Sequence, residues 1–274
     1  MHADYDYKES GRTLGHFRNG SQDDEANMKA SEEIGTLRRV ATARMPTKWG
    51  MFNAAGFERA ANGTARIDTA LALIMGDLTG EAPLLRIHSQ CFTGEGLGSL
   101  RCDCSDQLSI AMRAIAAEGH GLVIYEYQEG RGIGLMAKLQ AYELQDGGID
   151  TAEANLVLGF RADCRDYSVP VAILRELSIH RVRLLTNNPA KARALTDAGI
   201  EVVARIPCEA KVNPYSLPYL RTKKEKMHHA LSLSYGDGTG QSEDLQGGSA
   251  SKPQPPRVRR DLNPIKRRAD YVNH

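Results

Sequence analysis

Three cysteines, Cys91, Cys102 and Cys104, crowd the run HSQCFTGEGLGSLRCDC and restrict what this chain can fold into, because a compact thiol cluster has to be accommodated. Thiolates so close together, in a chain without a secretory signal, read as metal ligands before they read as disulfides. No fourth cysteine stands nearby to close a structural tetrahedron. Three thiolates leave one zinc position open, the arrangement of a catalytic site rather than a structural one. The plain alternative is three reduced, half-buried cysteines.

The 274 residues suffice for one large domain or two small ones. A formal charge of +1 with 25% charged residues describes an ordinary soluble protein, which argues against a nucleic-acid coat or a membrane-surface binder. No apolar run reaches membrane-spanning length, and five cysteines, three of them clustered, fit a reducing cytoplasm. Residues 1–36 are polar, without a sustained apolar period. Residues 234–274 are rich in Gly, Pro and Ser, then basic (Arg257, Arg259, Arg260, Lys266, Arg267, Arg268). Both ends are expected to be disordered extensions, the tail solvated and without a specific nucleic-acid partner.

Between them, apolar runs alternate with helical patterns. Strands are expected at Leu84–His88, Leu122–Tyr127, Val182–Thr186 and Val202–Ile206. Helices are expected at Gln107–Glu118, Leu135–Gln145, Val169–Leu177 and Pro189–Ala198. Residues 45–80 read as consecutive strands joined by turns. The expected class is therefore α/β, a mixed and partly parallel sheet flanked by helices, with the chemistry in the loops after the strands.

The strongest motifs fall in those loops. Arg86-Ile87-His88-Ser89-Gln90 leads into Cys91 and offers a forked cation and a hydroxyl suited to phosphate; His88 is open to ligand, phosphate-donor and structural readings. Gln128-Glu129-Gly130-Arg131-Gly132-Ile133-Gly134 would let amides and a guanidinium approach an anion, although it is neither a P-loop nor a dinucleotide fingerprint. Thr186-Asn187-Asn188-Pro189-Ala190-Lys191 signals a helix start whose free amides favour phosphate, or a simple capping turn. Asp163 and Arg165, two apart, face the same side of an extended segment, either as a surface ion pair or as a base beside a phosphate-binding cation. Tyr142 shares a helix face with Leu135 and Leu139, which reads as a core tyrosine. A polyphosphate ligand presented to a metal site accounts for these motifs together.

HSQC, SLRCDC, QEGRGIGL, ADCRDY and LLTNNPAK, in this order, closely resemble GTP cyclohydrolase II, over about Leu37 to Leu233. The resemblance implies a catalytic domain over 37–233 with that family's fold, working in the cytoplasm, usually as a homodimer. It implies an enzyme of riboflavin biosynthesis that converts GTP and water into formate, pyrophosphate and 2,5-diamino-6-ribosylamino-4(3H)-pyrimidinone 5′-phosphate. It assigns one Zn2+ per subunit to Cys91, Cys102 and Cys104, with Mg2+ accompanying the triphosphate. Arg86 to Gln90, Gln107, Glu129, Gly130, Arg131, Thr151, Thr186 and Lys191 match GTP-contacting positions. Asp163 matches a proposed proton acceptor, Arg165 a proposed nucleophile toward the α-phosphate, and Tyr142 a tyrosine of the ring-opening chemistry.

There are departures from the family pattern. Gln90 stands where the family usually has glutamate, Ser105 where a glycine's freedom is usual, and Met227-His228-His229 where MGH is usual. The competing readings are a relative that stops at the formamide and a nucleotide-binding paralogue without turnover. A zinc-ribbon nucleic-acid binder lacks its ligand set and basic face here. The length leaves no room for the dihydroxybutanone phosphate synthase domain often fused to this family.

Overall fold

The computed structural model describes residues 36–60 and 67–233. The extensions expected over 1–36 and 234–274 lie outside them, apart from residue 36. Seven strands form one mixed sheet: β1 Leu37–Thr47, β2 Gly50–Ala60, β3 Ile67–Met75, β4 Leu84–Ser89, β5 Gly121–Glu126, β6 Arg181–Leu185 and β7 Glu201–Ile206. Their spatial order is β1-β2-β3-β5-β4-β6-β7. The first three and β5 pair antiparallel; β5, β4, β6 and β7 pair parallel. Among the described residues the α-helices are α1 Phe92–Glu95, α2 Cys104–Glu118, α3 Leu135–Asp146, α4 Thr151–Val157, α5 Ser168–Glu176, α6 Pro189–Asp197 and α7 Leu217–Met227. The four expected strands and four expected helices are all present, with ends moved by at most three residues. Three elements were not expected: α1, α4 and α7.

Alternation along the strands builds a core on each side of the sheet. Leu85 and Ile87 of β4, Leu122 and Ile124 of β5, and Val182 and Leu184 of β6 pack with Ile173 and Leu174 of α5 and Leu195 of α6. On the other side Leu84, Val123 and Leu185 pack with Ala111, Met112 and Ile115 of α2. That second face changes character along β4. It begins apolar at Leu84 and ends with Arg86 and His88, both buried.

The connections explain why the polar end lies where it does. From β4 the chain crosses through α2 to β5 on one side; from β6 it crosses through α6 to β7 on the other. β4 and β6 are neighbours whose connections run in opposite directions, so a crevice opens at their carboxyl ends, the usual ligand position in such sheets.

Helix α7 ends with His228 in the left-handed region (φ 54°, ψ 30°), where His228 and His229 N–H close on the Lys223 carbonyl. Glycine takes that conformation without the Cβ clash, which gives a physical reason for the family's MGH. Ser105, by contrast, lies in the first turn of α2 and is not among the positive-φ residues, so glycine's freedom is not needed there. Because the His228 side chain is exposed, His228→Gly should raise stability by about 1 kcal/mol, the left-handed cost less glycine's entropy. Urea unfolding of the two proteins checks this.

Candidate active site

Two adjoining cavities occupy the crevice; Ser89, Cys104, Arg131, Arg165 and Tyr219 line both.

The first holds the thiols. Cys91 leaves β4 just before α1, and Cys102 and Cys104 lie at the start of α2. Their three Sγ atoms lie within 4.8 Å of one another, Cys91 and Cys102 at 3.5 Å, and no disulfide joins them. Sulfur ligands of a tetrahedral zinc stand roughly 3.8 Å apart, so the donor set and its spacing fit that ion. Hydrogen bonds from the Cys102 and Cys104 thiols hold Cys91 far below the usual thiol range, with the Lys138 charge adding to the effect. Gly94 keeps the cluster compact: a Cβ there would meet Cys102 Sγ at 2.9 Å and Cys91 Sγ at 3.2 Å.

Buried polar groups fix this loop. Lys138 Nζ donates to Cys91 Sγ (3.2 Å), Thr93 Oγ1 (2.8 Å) and Glu129 Oε1 (2.7 Å). The other oxygen of Glu129 accepts from Phe92 N–H at 2.6 Å, tying the glycine loop to the cysteine loop. Glu95 accepts from Cys91 N–H (3.0 Å) and Tyr125 OH (2.6 Å) and bonds His88 Nε2 (2.8 Å). Burial, outweighing the Glu95 bond, pushes His88 down to about 4, so its ring is neutral. None of Thr93, Glu95 and Lys138 stood out in the sequence. The only signal for Lys138 was its place one turn before Tyr142.

Tyr142 lies on the wall of this cavity, with Arg101 4.7 Å from its ring. The expected core face of α3 needs correction. Leu139 is exposed, and the buried residues of the helix are Lys138 and Ala141, because α3 turns toward the polar site instead of the apolar core. Gln90, Glu129, Gly130 and Thr151 also line the first cavity.

The second cavity is lined by five cations, Arg86, Arg131, Arg165, Lys191 and Lys223, together with His88, Gln107, Thr186 and His229; no carboxylate lines it. Arg86 donates to Gln107 Oε1 (2.6 Å) and Leu185 O (3.0 Å). Lys191 is buried and donates to Ile87 O at 2.8 Å; burial and the charges of Arg86 and Arg165 hold it well below the usual lysine range. Ile87 thus takes part through its carbonyl, while its side chain belongs to the core. Asn188 caps α6 by accepting from Ala190 N–H at 2.9 Å, so this motif is a capping turn and also a wall of the cavity.

Arg131 and Gly130 both take left-handed backbone (φ 63° and 62°), which for arginine is strained. Arg131 Nη2 is buried without a partner, as are Arg86 Nε and Ser89 Oγ. Unpaired donors among buried cations suit a bound anion. Asp163 lines neither cavity. It stands behind Arg165, Nε to Oδ1 at 2.9 Å with a second close contact through Nη2. Burial raises the Asp163 carboxyl, but the Arg165 hydrogen bond and charge outweigh it and hold the group below its ordinary value. This is a half-buried pair, not a surface one.

The family model for GTP cyclohydrolase II matches residues 38–207. The chain belongs to that family. The GTP cyclohydrolase-2 of Shewanella amazonensis is 50% identical over 198 residues, spanning 72% of this chain and 95% of that protein. That of Escherichia coli (strain K12 / DH10B) is 50% identical over 197 residues, spanning 72% and 98%. A solved two-domain 3,4-dihydroxy-2-butanone 4-phosphate synthase from A. baumannii gives a TM-score of 0.37 at 17% identity, covering 64% of this chain and 41% of that one, too distant to bear on fold or function. The match to the GTP cyclohydrolase II model ends before α7, which nevertheless supplies Tyr219 and Lys223 to the cavity walls.

Because Gly94 leaves no room beside the thiols, Gly94→Ala should lower the zinc bound per chain well below that of the parent protein while the circular dichroism spectrum stays the same. Elemental analysis after dialysis checks this.

Proposed function

We propose that this chain hydrolyses GTP in riboflavin biosynthesis, with zinc held by Cys91, Cys102 and Cys104, releasing formate, pyrophosphate and the diaminopyrimidinone phosphate. The observation that carries the reading is the wall shared by two adjoining cavities, one holding the three-cysteine cluster and the other lined by five basic side chains and no carboxylate. A nucleoside triphosphate is long enough and polar enough at one end to use both. Zinc, when held there, supplies Lewis acidity and makes water nucleophilic at neutral pH.

The protein's own groups account for the remainder. Arg86, Arg131, Arg165 and Lys191 neutralise the phosphates, which assists loss of pyrophosphate. Gln107, Thr186, Ser89 and His88 are placed to orient that chain; Gln90, Glu129, Gly130 and Thr151 border the thiol cavity, where the base would lie. Lys138 offsets the charge of the thiolates, and Tyr142, one turn further along α3, offers a hydroxyl beside them.

Asp163 keeps Arg165 aligned and charged, and it accepts a proton only when that contact loosens. A guanidinium raised above its ordinary value, where burial is outweighed by Tyr167 and Asp163, is a poor nucleophile. The role that follows for Arg165 is electrostatic stabilisation at the α-phosphate. No carboxylate lines the phosphate cavity, so magnesium would be carried by phosphate oxygens and water.

The same proposal includes a catalytic domain over 37–233, a cytoplasmic location supported by the free cysteines, and a homodimer supported by the exposed Leu97, Leu100 and Met136. Among the described residues no helix is long and apolar enough to cross a membrane.

Purified protein given GTP, zinc and magnesium should release formate and pyrophosphate in equal amounts. Cys102→Ser should release no formate. Pyrophosphate without formate would replace the reading with a truncated reaction, and full activity in Cys102→Ser would refute a catalytic metal.

A further inference from the structure

The chain beyond residue 207 returns to the site and is fastened there. Lys223 Nζ of α7 donates to Asp103 Oδ1 at 2.8 Å, and Asp103 lies between Cys102 and Cys104. Lys226 pairs with Asp150, which caps α4. After the helix, Ala230 N–H donates to Asn187 O at 3.0 Å, and Leu220 and Leu231 are buried. These attachments hold the intervening residue, His229, against the cation-rich cavity.

His229 Nε2 is buried and has no hydrogen-bond partner. Burial, reinforced by the charges of Lys223, Arg165, Lys191 and Arg131, pushes the ring down to about 3, so it is neutral at pH 7. A neutral imidazole still carries one N–H. A buried ring nitrogen left unpaired is destabilising, and it is tolerated where a ligand completes it. With cations around it and no carboxylate on the cavity wall, the ligand that completes it is an anion.

We propose that His229 is a phosphate-binding residue, donating from Nε2 to an oxygen of the polyphosphate chain held among Arg131, Arg165 and Lys191, and that α7 positions it. The assignment of that chain to GTP rests on the function proposed above; the anion site itself does not.

Calorimetric titration of the full chain with inorganic pyrophosphate tests this, alongside steady-state kinetics with GTP, zinc content and thermal midpoint. His229→Phe keeps a ring and removes the donor, whereas His229→Gln keeps an N–H. His229→Phe should weaken pyrophosphate binding about tenfold and raise KM for GTP similarly, the loss expected for one hydrogen bond to a charged group. Zinc content and kcat should stay within about twofold, and His229→Gln should recover most of the affinity. Where His229→Phe does not fold, His229→Ala takes its place. Pyrophosphate affinity unchanged in the donorless variant overturns the assignment, as does a loss that folded His229→Gln shares in full. A parent protein that binds pyrophosphate through His229 but releases no formate would sink the GTP reading and leave this one standing.

Discussion

Gathering Arg86, Arg131, Arg165, Lys191 and Lys223 around one small cavity sets the terms for the rest of the structure, because like charges out of water repel strongly. The protein answers by placing its carboxylates behind the cations. Asp103 stands behind Lys223, Asp163 behind Arg165, and Glu129 behind Lys138 beside the thiols. Each pair is largely buried, and the first two keep their carboxylates off the wall of the cation-lined cavity. Lys191 donates instead to the Ile87 carbonyl, and burial with the charges of Arg86 and Arg165 depresses its basicity more than Glu126 restores it. On the function proposed above, a polyphosphate bound there relieves that repulsion.

The sheet supplies the rigidity this arrangement needs. Arg86 and His88 project from β4, a strand flanked by parallel neighbours on both sides, while Thr186 belongs to the turn after β6 and Lys191 to the first turn of α6. Leu85 and Ile87, alternating with them, are sealed into the core. The functional side chains therefore inherit their positions from apolar packing on the opposite face of the same strands. Glu129 then joins the loop after β5 to the loop after β4, so that the cysteine cluster and the cation-lined cavity are held in fixed relation.

Much of this was legible in the sequence because it follows from short apolar runs with distinctive turns behind them. β4, β5, β6 and β7, the cysteine cluster and the capping turn at Asn188 all carry local signals. The unread parts depend on contacts distant in sequence. Lys138 looks like a solvent lysine on an amphipathic helix; only the fold shows its side chain buried against Cys91 and Glu129. The leucine spacing on α3 points Tyr142 to the core, but Leu139 is exposed and Tyr142 lines the thiol cavity. Helix α7, sequence LPYLRTKKEKM, carries five charged residues among eleven, so its attachment through Asp103 and Asp150 rather than an apolar stripe leaves no periodic trace.

The same reasoning gives meaning to the strained backbone at Gly130 and Arg131. Two consecutive left-handed residues turn the Arg131 side chain toward Tyr219, 5.6 Å from its ring, and leave Nη2 buried and unpaired. Packing of Gly132 against the Cys164 carbonyl, where an added Cβ would approach to 2.8 Å, keeps the loop from relaxing. Cys164 N–H donates back to Arg131 O at 3.0 Å, fastening the strained residue to the segment that carries Asp163 and Arg165. Conformational strain and an unsatisfied donor thus occur on one residue, at the wall shared by the two cavities. On the function proposed above, an anion at that wall offsets both costs, which accounts for an arginine where a glycine would be easier.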